Sequence, residues 1–498
     1  MTPSLSPEDA WQPLPAADWN PEAAQHLLRR AGWTARPAEV ERAVQEGLGA
    51  TLDRLFPAEP ALFAKPRMIA RLEEAAPANL EKAKGATAEE KRLIQREANE
   101  RAQMALQDMS IRWLRLAAEP VNAAFAKWTL FLGDVYVVAS QKITGAGLLY
   151  RHADIIAHHA FGPAPALTKA VSRSPAMVIY LDLNQSQLKA PNENFARELF
   201  ELFVLGEGNY TEQDIKEAAR AFTGYRTQQF ASEFRYVPAQ HDAAPKTVFG
   251  QTGPFTGDEV IDLAYTQPAA ASFLPHELVK FYLSDAPLPA EHLAALGTIW
   301  RAADFNLRTL AQRFFGSRLF FAPEFRGNFI KSPVQFYLGL LQDLQLDLAP
   351  LPRFALNSLR QMGQTLYNPP NIRGWVGGRN WINSSTLAAR RALVESLFVP
   401  IDEKNLNADE QIELLAARAD GAENFTAPKE RLDEFARLDP ADAAARLVGK
   451  FLPAPGNEAL RQNLAQFIAA GAPAEAERLR RVRRAAVTLL QSPDYQLC

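Results

Sequence analysis

The chain has 498 residues, 47% of them hydrophobic and 22% charged, with a formal net charge of −3, so it can bury a substantial core and shows neither a nucleic-acid footprint nor a polybasic membrane surface. Its single cysteine, Cys498, excludes an intramolecular disulfide and a multi-cysteine zinc site. No uninterrupted apolar run reaches the roughly 18 residues that would span a bilayer, and MTPSLSPEDAWQPLPAADWN lacks the basic start and apolar stretch of a secretory signal. A cytoplasmic location is therefore the default expectation, with export by another route left open.

Residues 1–20 read as an extended, proline-rich leader, residues 21–400 as the main helical body and residues 401–498 as a C-terminal helical subdomain. Apolar residues at helical spacing from Ala23 to Phe56 predict two helices, broken near Gly32 to Arg36. From Ala88 to Ala118, the mix of Glu, Lys, Arg, Gln and Ala predicts one long helix, exposed on much of its surface. The more apolar stretch from Val121 to Gly162 carries His152, His158 and His159. Asp154 and His158 are spaced i, i+4, but no two histidines are, which fits packing and a helix-face ion pair better than a zinc helix.

The densest chemistry lies in PNENFARELFELFVLGEGNYTEQDIKEAARAFTGY, from Pro191 to Tyr225. A helix is expected from Asn192, with Asn194 in its first turn and Phe195, Leu199, Leu202 and Phe203 on one apolar face. Glu193, Arg197 and Glu201 recur at i, i+4 on the opposite flank. Glu198 projects towards the apolar side instead, where a carboxylate must find a partner or take up a proton. Two readings stay open: a structural carboxylate clamping Arg220 or Arg197, or a general acid or base.

After Gly206 and Gly208, Thr211 and Asp214 form a capping-box start and Tyr210 with Ile215 a staple, so a second helix is expected to run to Thr223 and Gly224. The resulting hairpin is expected to bring Glu198 near Glu217 and Arg220, an arrangement open to acid–base work or to a buried ion pair. In the Gly- and Pro-rich stretch that follows, His241 and Asp242 are candidates for ligand or partner binding, with a turn as the plainer reading. Lys246 is placed to answer a buried carboxylate.

Further helices are expected around Asp258–Tyr265, Ala269–Leu283, Ala290–Ala303, Leu307–Phe315, Pro333–Leu344 and Phe354–Leu366, with sparse strand signals. The stretch from Met362 to Leu393 predicts a rigid aromatic loop presenting Asn371, Trp375, Arg379 and Trp381, followed by a helix capped by Asn383 or Ser384. Such a loop suits a sugar, a peptide or another planar polar group, or it plugs the end of a helical domain. The basic run from Arg478 to Ala486 reads as a solvated helix flank.

Several of these motifs in the same order, NENFARELFELFVLGEGNYTEQDIKEAARAFTGY, HDAAPKTVFGQTGPFTGDEVID, IKSPV and NPPNIRGWVGGRNWINSST, together with HLLRRAGW at His26–Trp33, resemble the bacterial family called domain of unknown function 1800. The resemblance covers nearly the whole chain after residue 20. It implies a large, mostly helical protein without an established activity. It also implies a partner from a family related to sulfatases and alkaline phosphatases, often encoded beside it. Where members are expected to carry a Glu/His/His-bearing aromatic motif, this chain has AKWTLFLGDVY from Ala126 to Tyr136, which implies a degenerate site on a retained scaffold. Glu277 stands where a basic residue is expected.

The sequence thus predicts an all-α, multi-helix protein with long loops. Its leading functional reading is a non-catalytic binding or assembly component acting with a protein partner. The alternative is a hydrolase-like enzyme, metal-assisted or not, using Glu198 with Glu201 or Glu217 and an Arg197 or Arg220 clamp. No metal-ligand set, cofactor or nucleic-acid partner is assigned.

Overall fold

Helix Ala123–Val135 is apolar almost all round, and such a helix must lie inside the protein. In the computed structural model, which describes residues 3–227, 233–427, 430–453, 458–471 and 474–498, it forms the wall between two hydrophobic cores. Ala124, Phe125, Trp128, Phe131 and Val135 face the first core, built mostly from residues 10–325. Ala123 and Ala126 face the second, with Trp33, Trp113, helix Pro333–Leu344 and the helices after residue 430.

The chain is all-α in character. Strand is confined, among the described residues, to two antiparallel hairpins, Tyr225–Thr227 with Phe234–Tyr236 and Lys246–Val248 with Gln251–Gly253. No helix of the described residues is long and apolar enough to cross a membrane.

Most expected elements are present. Helices Pro21–Ala31 and Pro37–Leu55 flank the expected break, and the long helix runs Ala88–Ala118, opened by a Thr87–Glu90 capping box. It packs against a partner helix, Arg67–Lys84, and buries Met109–Ile111, Trp113, Leu114 and Ala117 near its end. The basic run lies on helix Glu475–Leu490, where Arg480 and Arg481 pair with Glu477 while Val482, Ala485 and Ala486 turn inward.

Three expectations need correction. The leader, whose residues 1 and 2 lie outside the described residues, is not simply extended: Pro7–Ala10 is helical, and buried Trp11 donates its indole N–H to the His292 carbonyl at 2.7 Å. Burying a large indole with its donor satisfied ties this segment to the first core. The division at residue 400 does not separate two cores, because Leu447, Val482 and Leu490 share one with Val334 and Leu338. The helix expected from Asn192 begins at Asn194 and widens after Glu198 into a π-helical turn, Leu199–Val204. Asn192 instead uses its side-chain oxygen to accept from the Asn194 N–H at 2.9 Å, a local bond that competes with helix.

Buried cations fasten the seam between the cores. Arg30 donates to the Tyr282, Leu283 and Phe325 carbonyls and to Asn328 Oδ1, at 2.6–3.2 Å. Its guanidinium thereby holds the carboxyl end of helix Ala270–Tyr282, where carbonyls lack helical partners. Lys127, 4% exposed, donates to Arg30 O, Gly32 O and Gln335 Oε1 at 2.7, 3.0 and 3.0 Å. Burial pulls its ammonium down to about 7, yet all three donors are in use.

Candidate functional site

Most of the charged residues singled out between Pro191 and Lys246 are held in ion pairs. Arg197 makes two bonds to Glu212, at 2.7 and 2.8 Å, and lies 3.7 Å from Glu193. Arg220 pairs with Glu217 and with Asp242, both at 2.7 Å. Against the opposing effect of burial, the Arg220 hydrogen bond holds the Asp242 carboxyl below its ordinary range. His241 Nδ1 lies 3.1 Å from the Thr223 carbonyl, and burial lowers its ring. Lys246 is fully buried and donates to the Asp242 and Ala244 carbonyls rather than to a buried carboxylate.

Glu198 is brought to neither Glu217 nor Arg220, and it makes no hydrogen bond or ion pair among the described residues. It is half-buried, and burial first, then Glu201, raises its carboxyl, while Arg373 and Arg197 pull it back. The expected clamp by Arg220 or Arg197 fails because both arginines are taken by closer carboxylates. Glu201 also leaves its expected flank. The π-helical turn adds a residue to the turn and rotates the register, so Glu201 pairs with Arg373 of the aromatic loop at 2.7 Å. Arg373 also reaches Glu207 at 2.8 Å.

The aromatic loop is held by local hydrogen bonds and by burial of its tryptophans. Asn371 Oδ1 accepts from the Arg373 N–H at 2.8 Å, Asn383 caps helix Ser384–Ser396, and Trp375 and Trp381 are 9% and 8% exposed. Arg379 and Asn194 are exposed, and neither joins a pocket described below. The loop docks through Gly374 and Gly378, both at positive φ. A Cβ at either would overlap a carboxylate, that of Asp134 or Asp285.

This docking creates the site that the sequence reading missed. An open groove of about 520 Å³ runs between the π-helical turn, helix Ala270–Tyr282 and the loop, walled by Glu201, Phe273, Glu277, Lys280 and Arg373. A narrow recess of about 40 Å³ adjoins it, walled by Phe131, Phe281, Gln364, Trp375 and Trp381. Asp134, Val135, Glu277 and Lys280 line both. Asp134 accepts one hydrogen bond, from the Trp375 N–H at 2.8 Å, and has no ion pair among the described residues. Burial pushes its carboxyl up to about 7, opposed by the Trp375 bond and by Lys280. The signal was present in the sequence as the one acid in FLGDVY, inside a helix whose only other charged residue is Lys127.

Among the described residues, no group of three or more His, Cys, Asp or Glu side chains is placed to hold a metal ion. His152 is a core residue, its ring nitrogens 3.0 Å from Ser174 Oγ and 2.8 Å from the Tyr136 carbonyl, and burial lowers it to about 4. Ser174 is fully buried, so this pair presents no accessible nucleophile. His158 lies 3.3 Å from Asp154, the expected helix-face pair.

Compared with known proteins, the chain matches over residues 26–497 the family model described as "Protein of unknown function (DUF1800)". No curated protein and no solved structure matches it.

Proposed function

The chain belongs to the DUF1800 family of proteins of unknown function, and from that premise we propose that it is a non-catalytic binding protein whose ligand lies in the groove beside Asp134. One observation carries the reading. Arg197, Arg220 and Arg373 hold Glu212, Glu217, Asp242 and Glu201 in ion pairs of 2.7 Å, whereas a groove of about 520 Å³ remains open beside them. Preformed concave sites with a few placed polar groups are the usual seat of small ligands. The test is purification of the full chain from its native host, with mass spectrometry of the small molecules it retains. A stoichiometric molecule retained by the wild type and lost in Ser272→Trp, which plugs the groove, is expected. Turnover of a defined substrate that disappears in folded Glu198→Ala overturns the reading.

A second reading has its own support. A carboxyl titrating at about 7 in a cleft is suited to proton transfer near neutrality, which moves the hydrolase alternative from Glu198 to Asp134. A flat activity profile across glycosides, esters, phosphates and peptides removes it. The sulfatase-like partner implied by the family is a separate proposal. Leu93 and Met104, exposed on the long helix, offer it apolar contacts, and capture at low and high salt tests whether such a partner stays bound.

A further inference from the structure

We propose that the ligand of this groove is a saccharide, with a hydroxyl-bearing arm inserted into the recess between Trp375 and Trp381. The inference rests on the binding reading above and names its ligand class.

The argument begins with indole donors. Trp11, Trp19, Trp33, Trp128 and Trp300 each donate the ring N–H to a backbone carbonyl, at 2.7–3.1 Å. That is the ordinary fate of a buried indole, because an unmade hydrogen bond is costly. Trp375 and Trp381, 9% and 8% exposed, are slightly less buried than Trp11, Trp33, Trp128 and Trp300, line the recess, and have no acceptor for their ring N–H among the described residues. Trp381 Nε1 lies 4.0 Å from the position of a Cβ on Gly377, itself a wall of the recess. Trp113, the remaining indole without an acceptor, lines a separate apolar cavity that meets the other side of Trp375.

Gln364 adds an independent donor. It is 2% exposed and lines the recess, and its Oε1 accepts from the Val334 N–H at 3.0 Å, which leaves the amide nitrogen as the end without a partner. Acceptors line the same recess: Asp134, with a single hydrogen bond, and Glu277, which accepts from Lys280 at 3.4 Å.

A ligand must therefore both accept and donate at close quarters. An ammonium group only donates and would leave the indole and amide donors unpaired. A phosphate or carboxylate mainly accepts and would meet Asp134 and Glu277, while the two lysines of the lining are engaged, Lys127 with Arg30 O, Gly32 O and Gln335 Oε1 and Lys280 with Glu277. A hydroxyl does both, and the C–H face of a sugar ring packs on aromatic side chains. Size agrees, since the recess of about 40 Å³ is about three times what a single water needs and admits a short hydroxyl-bearing arm but not a ring. The groove of about 520 Å³ has room for the rings.

The test uses the full chain on a printed array of neutral, amino and uronic-acid mono- and oligosaccharides, followed by titration calorimetry with the best soluble glycan. Trp381→Phe keeps a ring and removes the indole donor, and Asp134→Asn keeps an acceptor for Trp375. The expected result is saturable binding, weakened about tenfold in each variant, as for loss of one or two hydrogen bonds, with unchanged circular dichroism. No glycan bound by the wild type, or binding unaltered in both variants, overturns the saccharide assignment. The retained-molecule experiment separates the two claims. A non-saccharide molecule lost in Ser272→Trp ends this inference and keeps the binding role, whereas an empty groove together with a blank array ends both.

Discussion

The Trp375 N–H donates to Asp134 Oδ1 at 2.8 Å, and this bond seats the aromatic loop on the helix that carries the acid. Since burial raises the Asp134 carboxyl to about 7, the folded protein holds a proton there over a range in which the unfolded chain has lost it. Between about pH 4 and 7 the native state binds more protons, so this residue's contribution to stability falls as pH rises and levels off above 7. Asp134→Asn is expected to match the wild type near pH 4 and to exceed it by about 2–4 kcal/mol at pH 8. Urea unfolding at four pH values between 4 and 8 checks the slope.

Gly374 is the second half of the same junction. At φ 75° it is strained for any other residue, and an added Cβ would overlap the Asp134 carboxylate. Gly374→Ala is expected to displace the loop and cost about 2–4 kcal/mol. The readouts are the melting temperature and the near-ultraviolet circular dichroism of the tryptophans.

Lys127→Met removes one ammonium and orphans three acceptors, Arg30 O, Gly32 O and Gln335 Oε1. A loss of about 3–5 kcal/mol is expected, because the carbonyls stay buried without donors. A shift of the denaturation midpoint at unchanged slope would show it.

Arg220→Met and Glu198→Gln are expected to differ sharply, although both residues belong to the most polar segment. Arg220 joins Glu217 and Asp242, all partly buried, and its loss is expected to cost about 1–3 kcal/mol. Glu198 holds no partner and has a raised carboxyl, so Glu198→Gln should leave stability within about 1 kcal/mol or improve it at neutral pH. Parallel melts of the two variants decide this.

Local rules made much of the fold legible in the sequence. The long helix has its expected bounds, Ala88–Ala118, because its composition and its Thr87–Glu90 cap agree. Thr211 and Asp214 likewise start their helix with both capping bonds in place. What stayed hidden depends on distant contacts. No local pattern marks the π-helical turn at Leu199–Val204, yet that turn sends Glu201 to Arg373 and leaves Glu198 without a clamp. The recess needs residues near 131, 281, 364 and 381 together, a juxtaposition set by packing alone. Only Asp134 carried a readable clue, a lone acid among apolar neighbours.

The shared wall formed by helix Ala123–Val135 also constrains how the protein is born on the ribosome. Trp33 and Ala126 belong to a core completed by Leu447, Leu490 and Tyr495. At ordinary translation speeds, roughly half a minute to a minute and a half separates the synthesis of the first of these residues from that of the last. During that interval one flank of the helix is dressed by the earlier core while the other is only partly covered, by Trp33, Trp113 and helix Pro333–Leu344.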